Sequence, residues 1–227
     1  MTPEDRARVI DALPAALRDV TDEAGFRRDI CVLAAWVGQQ VLRSYGISAR
    51  AHAVRAVILN RQMREHVGDD LDRLFEPWTA ELEEELDRRG AWSVLLGWEG
   101  RQRADRPRTP GRRFPGHVIL ETRNPDRLID PTLDQAARPE RGMPLEPAAL
   151  EVPRDQLKRF GRGDGVAAFE DEDSGVLTVY GVVPGLDFRR GADWHDAETR
   201  ELTGPLRGRL VAQVRGRLDR VLEKAAA

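Results

Sequence analysis

The chain has 227 residues, of which 41% are hydrophobic and 33% charged, and its formal net charge is -3. That length and apolar content suffice for one sizeable core, and the near balance of charge removes any global electrostatic case for nucleic acid or an anionic membrane. The single cysteine excludes an internal disulfide framework and a Cys-rich zinc site. No stretch approaches the ~20 apolar residues that span a bilayer, and the first residues lack an apolar run of signal-peptide type. The expectation is one soluble, cytoplasmic domain over residues 1–227, with no internal repeat and with its oligomeric state open.

In chain order, Thr2-Pro3-Glu4-Asp5 reads as a helix start: a cap, a proline at the first position and acids in the first turn. Val9, Ile10 and Leu13 give that helix its apolar face. Pro14 is expected to end it, with a second short helix running through Leu17 and Val20. Asp29 then reads as the N-cap of a helix that opens at Cys31. Ile30, Leu33, Val37 and Val41 recur along it at helical spacing, and Gly46 serves as its C-terminal stop.

Ile47 to Asn60 reads as a strand in which His52, Val54, Ala56 and Ile58 alternate with Ala51, Ala53, Val57 and Leu59. Arg61 to Gly90 reads as largely helical, broken near Pro77. Leu71, Leu74, Phe75, Trp78, Leu82 and Leu86 fall on its inner side. Ala91 to Trp98 reads as a strand. Arg101 to Arg113 has the Arg/Pro/Gly composition of a solvated loop.

Gly116–Thr122 and Arg127–Asp130 read as two strands joined by the turn Asn124-Pro125-Asp126, an antiparallel hairpin. A Pro-rich segment follows from Pro131 to Pro153. Gly165–Phe169 and Val176–Val183 read as a second hairpin. Leu206, Leu210, Val214, Leu218 and Val221 mark a C-terminal amphipathic helix, which Gly208 and Gly216 weaken.

A lone cysteine is by base rate a small buried hydrophobe. Three positions nevertheless line up here. Cys31 opens a helix, where free N–H groups and the positive end of the dipole favour a thiolate. His117 opens one strand of a hairpin and Asp130 closes the other. In an antiparallel pair the start of one strand lies beside the end of the next, so the imidazole and the carboxylate become neighbours. A nucleophilic thiol needs that set: a base to take its proton and an acid to orient the base. Asp134 is the reserve acid. His52 and His66 have no metal-ligand spacing, and Asp193-Trp194-His195-Asp196 reads as exposed loop polarity.

Cys31 with its apolar helix, then Tyr45-Gly46-Ile47-Ser48-Ala49-Arg50, resembles the core of the transglutaminase-like superfamily. There a cysteine helix leads into a Gly-Ile-x-Ala-Arg strand entry. Gly116-His117-Val118-Ile119-Leu120 and Leu128-Ile129-Asp130-Pro131-Thr132 are similar to that superfamily's histidine and aspartate strands. The resemblance covers roughly Asp29 to Thr132. It implies an α+β, papain-like fold: a cysteine helix packed on an antiparallel sheet, with the N- and C-terminal helices and the later strands as elaborations. It also implies Cys31 as nucleophile, His117 as base and Asp130 as orienter. The segment from Leu59 to Pro115 is long for a minimal core. The superfamily's aromatic oxyanion partner has no clear counterpart: Trp36 reads as core, and Trp92 and Trp98 are the candidates. The Arg-Gly-Gly sequence that precedes the cysteine of arylamine N-acetyltransferases is absent, which disfavours acetyl-CoA. No cofactor and no metal is expected.

The expected function is therefore cysteine-dependent acyl transfer: hydrolysis, deamidation or transamidation of a protein or a small amide or ester. The rival reading is a catalytically inactive module of the same fold that binds a protein partner. A nucleic-acid binder working through Arg101–Arg113 ranks third, because that stretch lacks aromatic residues for stacking on bases.

Overall fold

The computed structural model describes residues 1–26, 30–70, 73, 78–96, 117–163, 165–182 and 204–226. The expectations placed on Asp29, Leu71, Leu74, Phe75, Pro77, Trp98, Arg101–Arg113 and Asp193–Asp196 lie outside the described residues. The fold is α+β. Among the described residues, no helix is long and apolar enough to cross a membrane.

Helix α1 spans Pro3–Glu23, and the Thr2–Asp5 capping box satisfies its first amides reciprocally. The helix does not stop at Pro14, as the sequence suggested, but runs through it. A proline in a helix interior lacks an N–H for the ladder and costs about 3 kcal/mol. Val9, Ile10, Leu13, Leu17 and Val20 are all buried on one stripe. At roughly 1.5–3 kcal/mol per large apolar side chain, that stripe outweighs the broken bond.

Helix α2 spans Cys31–Ser44. It ends in a Schellman motif: Ile47 N–H donates to Leu42 O, Gly46 N–H donates to Arg43 O, and Gly46 takes φ 70°. The Tyr45 hydroxyl then donates to Asp219 Oδ1 at 2.5 Å, tying this end to the C-terminal helix. Strand β1 (Ala49–Leu59) carries the predicted alternation, with Arg55 as its one exposed position. Helices α3 (Arg61–Val67) and α4 (Ala80–Arg88) follow, capped by Asn60 and Thr79. Strand β2 is Ser93–Leu96, β3 is His117–Thr122 and β4 is Arg127–Asp130.

The Pro-rich segment is more regular than its composition suggests. It contains two 3₁₀ turns (Leu133–Ala136 and Pro139–Arg141) and strand β5 (Ala148–Glu151). Helix α5 (Arg154–Arg162) follows, anchored by only two large apolar side chains, Leu157 and Phe160, which explains why its pattern is faint. Strands β6 (Val166–Asp171) and β7 (Val176–Val182) form the second hairpin, and helix α6 (Gly204–Ala226) closes the chain.

All strand pairs are antiparallel, in the order β5-β4-β3-β1-β7-β6, and β2 also pairs with β1. The long β1 has β7 along one edge; its first half pairs with β3 and its second with β2. On one face, Ala51, Val118, Leu120 and Ile129 pack under α1, α2 and α6. On the other, Val54, Ala56, Ile119, Leu128 and Tyr180 pack with Leu157 and Phe160 of α5.

The seat of α2 depends on Gly38. A Cβ there would lie 3.0 Å from Leu120 Cδ1 and 3.1 Å from Leu17 Cδ1. Gly38→Leu should therefore push the cysteine helix off β3. We expect a loss of about 1–3 kcal/mol from overpacking, larger than the ~1 kcal/mol gained in helix propensity. Urea unfolding checks it: a midpoint equal to or above the parent's contradicts this packing.

Candidate active site

Cys31 is the first residue of α2 and is partly exposed. The cap position before it is Ile30, whose side chain makes no capping hydrogen bond. The first intrahelical bond is Ala34 N–H to Ile30 O at 2.8 Å. The amides of Cys31, Val32 and Leu33 thus have no acceptor within the helix and point out of its N-terminal end, beside the sulfur.

His117 is the first residue of β3 and is buried. The register Leu120↔Ile129 and Glu121↔Leu128, continued by one position, sets Asp130 opposite Ile119. His117 and Ile119 share a sheet face, so His117 and Asp130 are diagonal neighbours, within side-chain reach. The ring Nε2 lies 2.7 Å from Asp130 Oδ2. The Cys31 side chain lies near enough to the same ring to strengthen its hold on a proton. The three residues singled out in the sequence therefore meet.

Asp130 is held from several sides. Tyr180 of β7 donates its hydroxyl to Oδ2 at 2.8 Å. The Thr132 amide donates to Oδ1 at 3.0 Å, with the Thr132 hydroxyl at 3.5 Å. The carboxylate is 1% exposed, so these donors stand in for water. Thr132 was legible as the end of the stretch Leu128-Ile129-Asp130-Pro131-Thr132. Tyr180 was not, since it is 50 residues away in sequence.

Burial acts to lower the affinity of His117 for its proton. The Asp130 charge and hydrogen bond, helped by Cys31, outweigh it, and His117 is raised from 6.5 to about 10. Burial and the Asp130 charge push Tyr180 well above its ordinary value, so it remains a neutral donor.

The other sequence candidates have different partners. Asp134 pairs with Arg18 Nε at 2.8 Å. His52 Nε2 lies 2.6 Å from Glu121 Oε2, forming a second buried histidine–carboxylate pair. Arg123 Nε donates to the other Glu121 oxygen at 2.6 Å, and the His52 ring meets Phe160 edge-on. His66 lies at the end of α3. Trp36 packs with the helical core and Trp92 lies under Arg141, 4.3 Å from its guanidinium carbon. Among the described residues, no group of three or more His, Cys, Asp or Glu side chains could hold a metal ion.

In comparisons with known proteins, the chain matches no family model, no curated protein and no solved structure.

The raised His117 has a thermodynamic consequence. The charged pair contributes fully to stability below about pH 6.5 and loses that contribution as pH rises towards about 10. His117→Gln should be least stable relative to the parent in the acid half of this window. Denaturant unfolding of both proteins across it should show the gap narrowing as pH rises. A gap that widens would give the pair the wrong sign.

Proposed function

We propose that this chain is a cysteine-dependent acyl-transfer enzyme with the papain-like arrangement of the transglutaminase-like superfamily. The observation that carries the reading is the buried His117–Asp130 pair at 2.7 Å, with Cys31 at the start of α2 close enough to act on the same imidazole. A structural cysteine has no need of such a partner, and a structural histidine has no need of a thiol.

The chemistry follows from the residues. The His117 ring accepts the thiol proton, and Asp130, fixed through Nε2, stabilises the imidazolium without taking the proton itself. The sulfur attacks the carbonyl carbon of an amide, ester or thioester. The developing oxyanion lies at the start of α2, where backbone amides supply donors. One such donor is typically worth about 10²–10³ in rate. The imidazolium protonates the departing amine, alcohol or thiol, leaving a thioester on Cys31. Water or an amine, deprotonated by His117, then attacks the thioester and regenerates the thiol. The acceptor decides between hydrolysis or deamidation and transamidation. No step calls for a cofactor.

Alkylation of the parent protein by iodoacetamide tests this. Cys31, the only thiol, should react near neutral pH well above the rate of a free thiol. His117→Ala should slow the reaction by roughly 10²-fold or more, the usual scale of a lost acid–base partner. Ordinary reactivity that is indifferent to His117 would falsify the proposal. A thioester adduct on Cys31, seen by mass after incubation with an activated acyl ester and lost in Cys31→Ser, would extend it to acyl transfer.

A further inference from the structure

We propose that Tyr180 is a positioning residue of this site, sharing Asp130 Oδ2 with His117 and thereby setting how tightly the carboxylate holds the imidazolium. Its relevance to catalysis rests on the acyl-transfer reading; the coupling itself does not.

The geometry is specific to one oxygen. His117 Nε2 lies 2.7 Å from Asp130 Oδ2, and the Tyr180 hydroxyl lies 2.8 Å from the same atom. Thr132 takes the other oxygen. The phenol therefore competes directly with the imidazole, where the Thr132 amide does not.

The sheet is built to let it do so. Tyr180 is paired with Ala56 on β1 and with Ala167 on β6, and both alanines are fully buried. Directly paired residues point to the same face. Two small neighbours leave the ring room to lie across β1 towards β4. Phe169 meets the ring edge-on, with centroids 6.1 Å apart. A phenylalanine at 180 would fill this slot equally well, so packing alone does not call for the oxygen.

The titratable groups around this oxygen are Cys31 on α2, His117 on β3, Asp130 on β4 and Tyr180 on β7, with Asp134 of the following turn acting through space. His52 and Glu121 sit further along the same face and are paired with each other. Burial and the nearby carboxylate keep the phenol protonated throughout the range in which His117 titrates. It therefore acts only as a donor and never exchanges roles with the ring. A donor on Oδ2 draws off carboxylate charge that the imidazolium would otherwise use.

The test is an NMR titration of ring-labelled histidine in the full chain. With four histidines present, His117→Gln assigns the signal. Tyr180→Phe removes a single oxygen, and His117 should then titrate higher than in the parent by about half a unit or more, within the range a hydrogen bond to a charged group commands. An unchanged or lower value overturns the inference. Should Tyr180→Phe fail to fold, a second measurement decides. The chain has two tyrosines, so fluorotyrosine incorporated in a Tyr45→Phe background modifies Tyr180 alone. The more acidic phenol is a stronger donor and should move His117 downwards; no shift, or an upward one, overturns the inference. A purely structural tyrosine predicts neither sign. The two readings also fail separately. Cys31 of ordinary reactivity removes the enzyme and leaves the coupling measurable, whereas an indifferent His117 removes Tyr180 and leaves the alkylation result intact.

Discussion

The organisation of the site depends on a carboxylate that has been taken out of water and given its partners back from the protein. A buried ionised group is tolerated only when its lone pairs are met. Asp130 is met by His117 from β3, by Tyr180 from β7 and by Thr132 from the turn that follows its own strand. Each partner comes from a different stretch of backbone, and their arrival at one point fixes the hairpin β3–β4 relative to β7 across the intervening β1. The same carboxylate holds the imidazole through Nε2. The ring's geometry, its charge and the packing of the sheet are consequences of one desolvated oxygen pair.

The helical layer supplies the other half. Gly38 lets α2 lie close on Leu120 and Leu17, and Tyr45 anchors its far end to Asp219 of α6. Cys31 is thereby brought to the start of β3 by packing at the helix's middle and end. The Ile30 side chain at the cap position makes no capping hydrogen bond, and that end of the helix holds the thiol.

The local features were legible in the sequence. Thr2 and Asp5, the alternation of β1 and the β3–β4 hairpin all rest on patterns of two to ten residues, and the Cys31–His117–Asp130 convergence followed from a helix start and a hairpin's ends. What was hidden depends on non-local partners. Tyr180 reads as an ordinary strand tyrosine until the register places it opposite Ala56. His52 and Glu121 were separate residues on separate strands until β1 and β3 paired. Pro14 broke a helix on local grounds, and the buried stripe on both sides of it restored the helix. Helix α5, with two apolar anchors in nine residues, has too weak a period to stand out.

The placement of β7 beside β1 bears on how the molecule comes into being. Along the chain the thiol comes first, the imidazole and carboxylate follow, and the phenol comes only with β7. Pairings so distant along the polymer are slow to close because the entropy of the intervening loops must be spent first. A chain in which β7 has not yet docked on β1 would already carry the sulfur, the imidazole and the carboxylate and still lack the phenol that helps hold the carboxylate. The carboxylate's full set of donors is therefore complete only once β7 has paired with β1.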